Sequence, residues 1–344
     1  VPVQADWQHG FADVTGLQEM PAAGEDPMSR FWDEKLGDLD VAAVLQRLQA
    51  FLDSKREPSR EYHELLQMLA QLVRRDPGEA DRLAGLVQSA RLTGQAAADV
   101  LAVLGMAGNE RAQVALAAVF ENGLVEAGLR RAAVESMFQL EHPSQALVDS
   151  LRRSLHGVGR LDVLAGSSML ALGALGTRGA VTAEGGALVD ELLGLEAAAR
   201  QDGLEGAWSE ALGNTGDPAV VPLAQRLSAS NDPVERARAV TVLRRVTSPA
   251  AAALLQSIAR GDPDADVRRL AVQTIGESTA AWTRDVLVDR AATDGDAEVR
   301  RVAYSALASR ARTDTVAHSA LVQRLGNEPD PELRQMLQSL LRGA

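Results

Sequence analysis

Cysteine is absent from this 344-residue chain, and aromatic residues make up only 3% of it. Without cysteine the chain can form neither a disulfide framework nor a thiolate metal site, and its redox compartment stays open. Alanine, leucine and valine dominate instead, which suits closely packed helices and argues against a β-sandwich or an α/β enzyme. The composition therefore predicts an all-α protein.

A basic stripe is missing as well. The net charge is −12, and residues 1–64 hold thirteen acidic against six basic side chains. Residues 200–344 are nearly balanced, with nineteen acidic and eighteen basic side chains. Proteins that bind nucleic acid collect lysine and arginine on one face to neutralise phosphates. We therefore expect no nucleic-acid partner.

Long apolar runs are also lacking: no stretch approaches the roughly 18 apolar residues of a membrane-spanning helix, so we expect no transmembrane segment. Lys35 and Lys55 are the only lysines among 35 basic residues. A GC-rich genome would produce this bias, so a bacterial origin is expected. The chain begins at Val1 rather than methionine, which indicates a trimmed or processed form and leaves open a lost signal peptide or a lost upstream domain. A soluble protein is expected, either cytoplasmic or exported with its signal peptide removed.

What the chain does contain is a repeat. Four similar segments of the C-terminal third each carry an arginine in the same place, and these arginines recur every 32 to 34 residues. Such a period is typical of stacked helical hairpins, each too small to bury its own apolar face. The four arginines are Arg236, Arg268, Arg300 and Arg334.

The repeat can be traced backwards through apolar residues near the ends of equivalent helices. It predicts a right-handed α-α superhelix, a solenoid of about nine hairpins over 39–344, divergent in 60–203 and regular in 204–344. Turns with the pattern LGxxG, as at Leu104 and Leu212, are expected to end helices through glycine. We call the apolar residue at the equivalent position of each hairpin its slot. The nine slots are Leu69, Leu104, Leu140, Leu175, Leu212, Leu243, Ile275, Leu307 and Leu341.

Residues 1–38 show scattered acids, prolines and glycines without a sustained helical period. We interpret them as an extended arm or a linker. Aromatic side chains in such an arm dock it onto the body of the protein or onto a partner. The candidates are Trp7, Phe11, Phe31 and Trp32.

The segment Asp266-Val-Arg-Arg-Leu-Ala-Val272 and its copies at 232, 298 and 332 resemble HEAT repeats. The resemblance implies that each arginine pairs with an aspartate of a neighbouring repeat, forming a ladder inside the stack. It also implies a solenoid whose curved surface binds a protein partner. The aspartates that fit this role are Asp232, Asp266, Asp296 and Asp330.

A narrower resemblance concerns the turn from Trp208 to Pro218, which reads WSEALGNTGDP. It is similar to a turn in the helical domain of large lipid transfer proteins, the vitellogenin and apolipoprotein B group. The small-residue helix around Ala171 and the turn after Leu104 support it. The resemblance covers the helical arch alone, and it implies a lipid-associated domain of a larger transfer or storage protein.

Catalytic motifs are missing. The five histidines show no metal-ligand spacing, and there is no phosphate-binding loop or nucleophile elbow. Among HEAT-like enzymes, DNA glycosylases need a basic face, and chromophore lyases are suggested here by analogy of architecture alone. We therefore expect no cofactor and no enzyme, but a scaffold that binds a protein, with a lipid-associated role as the alternative.

Overall fold

The computed structural model describes residues 27–138, 140–156, 162–176 and 185–343. These residues form twenty α-helices and one 3₁₀ turn, Pro218–Val220, and no strand. The helices are α1 (Pro27–Leu36), α2 (Val41–Asp53), α3 (Arg60–Arg75), α4 (Gly78–Gln88), α5 (Gly94–Ala107), α6 (Glu110–Glu121), α7 (Ala127–Met137), α8 (Gln145–Leu155), α9 (Val163–Leu175), α10 (Gly185–Gly194), α11 (Glu196–Asp202), α12 (Glu205–Thr215), α13 (Val221–Ser228), α14 (Pro233–Leu243), α15 (Pro249–Gly261), α16 (Ala265–Glu277), α17 (Ala281–Thr293), α18 (Ala297–Ala308), α19 (Thr315–Asn327) and α20 (Pro331–Gly343).

The helices stack in two layers. In one layer nine helices pack side by side in chain order: α3, α5, α7, α9, α12, α14, α16, α18 and α20. The other layer contains α4, α6, α8, α13, α15, α17 and α19, while α10 and the short α11 fill the interval between α9 and α12. Each helix of the first layer also packs against at least one of its sequence neighbours. The described residues therefore form an α-solenoid with HEAT-like repeats, as the sequence predicts.

The nine apolar slots all belong to the first layer. Eight lie within its helices, and Leu140 lies three residues after α7 ends. Ala171, Ala239, Ala271 and Ala303, each four residues before a slot, are fully buried. Small side chains at these positions let neighbouring helices approach closely. The pattern of small and large apolar residues thus sets the spacing of the stack.

Glycines bring some helices of this layer into backbone contact. A Cβ atom on Gly213 of α12 would lie 2.2 Å from the carbonyl oxygen of Thr241 in α14. The same holds for Gly105 of α5 against Ser136 in α7, at 2.3 Å. No real Cβ tolerates such distances, so only glycine fits here. In most repeats the helices of this layer contact each other more extensively than those of the other layer. We infer that the stack curves toward this layer. We call it the inner layer.

The two glycines of the LGxxG turns have different roles. Gly108 and Gly216 follow α5 and α12 with φ angles of 66° and 64°, the left-handed conformation that ends a helix. The first glycine of each turn, by contrast, lies inside the helix and provides the close contact described above. The expectation that glycine ends the helix therefore applies to the second glycine only.

Helix starts follow the predicted capping chemistry. A side-chain oxygen of aspartate, serine or asparagine accepts a backbone N–H of the first turn, which satisfies a donor with no partner inside the helix. Proline often follows in the first turn, where its missing N–H costs nothing. The capping residues include Asp40, Ser59, Asn109, Ser144, Asp162, Asp232, Ser248, Asp264, Asp296 and Asp314.

The N-terminal segment differs from the expectation of an extended arm. Within 1–38, residues 27–36 form α1, which packs against α3. Trp32 and Leu36, one helical turn apart, are buried in the core and hold this helix in place. Ten residues are too few for a helical period to stand out in the sequence. Trp7 and Phe11 lie outside the described residues.

Candidate interaction surface

Three of the four repeated arginines form a ladder between repeats. Arg236 of α14 donates two hydrogen bonds to Asp262, at 2.8 and 3.0 Å. Arg268 of α16 binds Asp294 in the same bidentate way, at 3.0 and 2.9 Å. Arg300 of α18 binds Glu328 at 3.1 and 2.8 Å. Each acid belongs to the loop that leads into the next inner helix, so every pair joins two successive repeats.

Each arginine also holds the loop before its own helix. Arg268, for example, donates from Nη1 to the carbonyl oxygen of Asp262, at 2.9 Å. The partner acid in turn accepts a backbone N–H two residues further on, as Asp294 does from Asp296 at 3.0 Å. The charged groups are thus buried with their hydrogen bonds satisfied, the condition under which a buried ion pair is tolerated. The ladder is a structural element.

The acids of the ladder are not the expected ones. Asp232, Asp296 and Asp330 accept backbone N–H groups at the starts of α14, α18 and α20. Asp266 is exposed and pairs with Arg269 on its own helix. A carboxylate that caps a helix points at its first turn, so the arginine reaches the acid two residues before the cap instead. Arg334 is exposed and forms no ion pair with any described residue.

Among the ladder acids, Glu328 of the Arg300–Glu328 pair has the most strongly shifted pKa. Burial opposes ionisation of Glu328, but hydrogen bonds from Arg300 and Tyr304 outweigh it and lower its pKa to about 2. Tyr304 is fully buried, and its hydroxyl pKa is raised, first by burial and then by the hydrogen bond to this carboxylate. Glu328 is therefore ionised in the folded protein across the physiological pH range.

The C-terminal half of the inner layer presents paired charges to solvent. Three further arginines follow the ladder arginines by one or two residues on the same helices and lie nearer the solvent. They are Arg238 on α14, Arg269 on α16 and Arg301 on α18. Each binds an acid three residues earlier: Glu235 at 2.5 Å, Asp266 at 2.9 Å and Glu298 at 2.6 Å. The pairs of Arg269 and Arg301 are the more exposed and contribute little stability, whereas the Arg238–Glu235 pair is half-buried. They neutralise this part of the inner surface.

The N-terminal half presents two uncharged strips. Helix α9, VLAGSSMLALGAL, contains no charged residue, and its least buried positions are Val163, Ser167, Leu170 and Ala174. These positions are four, three and four residues apart and share one side of the helix. On α5 the corresponding strip is Ala98, Ala102 and Met106. We call these two sets the α9 strip and the α5 strip.

Helix α7 lies between the two strips in the inner layer. It carries an exposed ion pair, Arg131 with Glu135 at 3.4 Å. The surface from α5 to α9 is thus apolar with one charged pair at its centre. A partner that binds here must accommodate both apolar contact and a neutral pair of charges.

One buried carboxyl near this surface was not expected from the sequence. Asp99 of α5 accepts hydrogen bonds from the Tyr62 hydroxyl at 2.7 Å and from the Gln95 amide at 2.8 Å, both at Oδ1. Its second oxygen is buried without a partner. Burial raises the pKa of Asp99, and the two hydrogen bonds only partly offset that effect. The sequence around Asp99 in α5 is otherwise apolar, so it did not predict this hydrogen-bonded link to α3.

The expected docking aromatics fall into two groups. Trp32 is buried, while Phe31 is 49% exposed and packs edge-to-face on it, with ring centroids 5.2 Å apart. The ammonium group of Lys35 lies 5.5 Å from both ring centroids. Trp7 and Phe11 cannot be placed, because they lie outside the described residues.

The described part of the chain shows neither a metal cluster nor a membrane-spanning helix. No group of three histidine, aspartate or glutamate side chains is arranged to hold a metal ion there. None of the described helices combines the length and apolarity needed to cross a bilayer.

Comparison with known proteins gives a family match for the C-terminal part of the chain. Residues 204–276 and 254–342 match the family described as HEAT repeats. The C-terminal part of the chain is a HEAT-repeat array. The turn from Trp208 to Pro218, on which the expected likeness to lipid transfer proteins rests, lies within the matched residues. Trp208 is buried, and its indole N–H donates to the carbonyl oxygen of Leu192 at 2.7 Å.

A solved structure is also similar to this chain, at 16% identity. It is the complex of CpcE and CpcF of phycocyanin lyase from Nostoc sp. PCC7120. The match covers 76% of this chain and 94% of the other, with a TM-score of 0.41. No curated protein matches the chain.

Proposed function

We propose that this chain is a non-enzymatic scaffold that binds a protein partner on its inner surface, centred on the α5 and α9 strips. The observation that carries the proposal is the contrast between the two halves of the inner layer. Charges are paired along α14, α16 and α18, whereas the solvent side of α9 carries none. Apolar surface surrounded by polar residues is typical of interaction sites.

The charged pair on α7 favours protein over lipid as the ligand. Arg131 and Glu135 lie between the two strips, where an acyl chain would have to cover both charges without offering hydrogen bonds. A protein surface supplies apolar and polar groups together, as most interfaces do. A lipid-associated role remains the second candidate, because the α5 and α9 strips themselves are apolar.

The proposal predicts where a partner cross-links. A photoreactive benzoylphenylalanine at Ala102 or Leu170 is expected to cross-link one protein in cells of the source organism, because both positions lie in the proposed interface. The yield is read from gels, and the cross-linked partner is identified by mass spectrometry. Both residues are only partly exposed, so each variant is first checked for an unchanged thermal transition.

Val114 provides the matched control. It lies on α6 in the outer layer, is 49% exposed and is apolar like the test residues. The same photoreactive group at Val114 is expected to give no specific product. Equal cross-linking of the same partner from Val114 would contradict an inner-surface site.

A further inference from the structure

The N-terminal ends of four successive inner helices carry a row of exposed aliphatic side chains. Leu124 lies three residues before α7 and is 95% exposed, Val163 begins α9 and is 66% exposed, and Val234 lies in the first turn of α14 and is 55% exposed. Leu204, directly before α12, is partly exposed. Only seven large apolar side chains are exposed in the described part of the chain, and three of them belong to this row. We call these four residues the edge row.

The edge row follows one edge of the solenoid, because the first turns of successive inner helices lie side by side. A Cβ atom on Gly166, near the start of α9, would lie 3.4 Å from a methyl carbon of Leu204 and 3.6 Å from the Cβ of Ala207 in α12. Packed helices are about 8–10 Å apart. The three intervals from α7 to α14 therefore give the row a length of about 25–30 Å.

Hydrogen bonds fix the turns that carry the edge row. The backbone N–H of Leu124 donates to the side chain of Asn122 at 3.0 Å, and the next residue, Val125, is buried. Asp162 caps α9 by accepting the backbone N–H of Ala165 at 2.9 Å. A capped helix start has a defined backbone conformation. The aliphatic side chains are therefore exposed on ordered turns and not on frayed helix ends.

Carboxylates without an ion-pair partner accompany the aliphatic side chains. Glu126, Asp162 and Asp232 each lie within two residues of a member of the edge row, and all three are exposed and form no ion pair with a described residue. The basic side chains nearby are engaged: Arg130 donates to a backbone carbonyl oxygen at 2.7 Å, and Arg236 belongs to the ladder. The edge row is thus an apolar surface flanked by negative charge.

The spacing of the edge row matches a helix laid along it. Two turns of an α-helix advance by about 10.8 Å, which is close to the separation of packed helices. Apolar residues at every seventh position would therefore reach successive members of the row. Basic residues on the flanks of that helix would reach the carboxylates. A helix of about 20 residues is about 30 Å long, enough to cover the row from Leu124 to Val234.

We propose that the edge row binds a basic amphipathic helix of the protein partner, with its aliphatic side chains on the row and its lysines and arginines beside Glu126, Asp162 and Asp232. This inference rests on the proposed function, since it takes the ligand to be a protein, and Val163 joins the edge row to the α9 strip. The three carboxylates would repel nucleic acid or an anionic membrane. The charge of the edge therefore selects a basic protein segment.

The test measures binding of a fluorescent peptide to the full chain by fluorescence anisotropy. The probe is a 21-residue peptide of leucine, lysine and alanine whose leucines share one side of a helix. A scrambled peptide of the same composition has the same charge but no apolar side. We expect the amphipathic peptide to bind at least tenfold more tightly, because burial of a single leucine side chain is worth about that factor.

Neutral edge variants test the charges. The triple variant Glu126→Gln, Asp162→Asn and Asp232→Asn keeps the caps, because asparagine caps a helix as well as aspartate does. It should weaken binding of the amphipathic peptide about tenfold at low salt, as three exposed ion pairs would, and reduce the salt dependence. The matched control neutralises three exposed acids at the opposite ends of the inner helices, and it should bind like the parent. These acids are Glu110, Glu141 and Glu277.

The double variant Leu124→Ser and Val163→Thr tests the apolar contacts. It should weaken binding at least tenfold, whereas Val114→Thr with Val322→Thr, at exposed positions of the outer layer, should change nothing. All these side chains are exposed, so each variant should keep the thermal transition of the parent.

Three results would overturn the inference: equal binding of the scrambled peptide, equal weakening by the control variants, or edge variants that bind like the parent. The cross-links from Ala102 and Leu170 test the proposed function separately. If they form while the edge variants bind the peptide like the parent, only the edge row is wrong. If the peptide binds the edge row as expected and no cross-link forms, the edge row stands and the inner-surface site is wrong.

Discussion

Gly213→Ala is expected to separate α12 from α14 and to lower stability by about 3 kcal/mol, at the upper end of overpacking costs. The added Cβ would lie 2.2 Å from the carbonyl oxygen of Thr241, and it would also lie 3.2 Å from its carbonyl carbon. Both atoms belong to a helix backbone, so no side chain can move aside. Amide hydrogen exchange, followed by mass spectrometry, should accelerate in both helices by about a hundredfold.

Gly206→Ala in the same helix is the control. A Cβ at Gly206 would meet nothing within 4 Å, so this variant should match the parent or exchange slightly more slowly. If Gly213→Ala exchanges like Gly206→Ala, the close approach of the inner helices is not what holds the repeats together.

Glu328→Gln is expected to release the last hairpin, α19 and α20, from α18. The substitution keeps the shape of the side chain but leaves the buried guanidinium of Arg300 without a counter-charge. Removing one partner of a buried pair costs on the order of 3 kcal/mol. Amide exchange in α19 and α20 should therefore accelerate by about a hundredfold at pH 7.

The effect of Glu328→Gln should depend on pH. The folded-state pKa of Glu328 is about 2, below the value of roughly 4.3 in an unfolded chain. Its contribution to stability is thus complete above pH ~4.3 and is lost as the pH falls toward 2. The difference in stability between Glu328→Gln and the parent protein should shrink as the pH falls from about 4.3 to 2. Glu298→Gln, which breaks the exposed pair with Arg301, should cost less than about 0.5 kcal/mol; an equal cost would mean that burial of the ladder is unimportant.

The inner layer could be predicted from the sequence because its signal is repeated. Large apolar residues every 31 to 37 positions correspond to the nine stacked helices, and in four of these helices an alanine stands one turn earlier. The function of single glycines could not be assigned in this way. Gly213 and Gly216 stand in one turn pattern, yet one contacts a neighbouring backbone and the other ends the helix. Only the three-dimensional spacing of the helices distinguishes them.

The ladder shows the same limit. The arginines were identified because they stand at a fixed place in each copy. Their partner acids were not, because Asp262 and Asp264 are both acidic, both precede the same helix, and differ only in the direction of the side chain. The third partner, Glu328, is not even an aspartate. Local sequence cannot separate a capping acid from a bridging one two residues away.

The sequence predicted an interaction surface but not where on the solenoid it lies. A solenoid of HEAT repeats implies an interaction surface. Which part of it lacks charge depends on which side of α5 and α9 faces solvent, and both helices are apolar almost all round.

The most direct test of the proposed function is native mass spectrometry of the full chain, isolated gently from its source, with lipid extraction of the same sample. We expect a complex with a second protein, and we expect Leu170→Asp to reduce that complex at least tenfold, because it introduces an unpaired carboxylate into an apolar interface. A chain that carries stoichiometric lipid and no protein partner would contradict the scaffold and support the lipid-associated alternative.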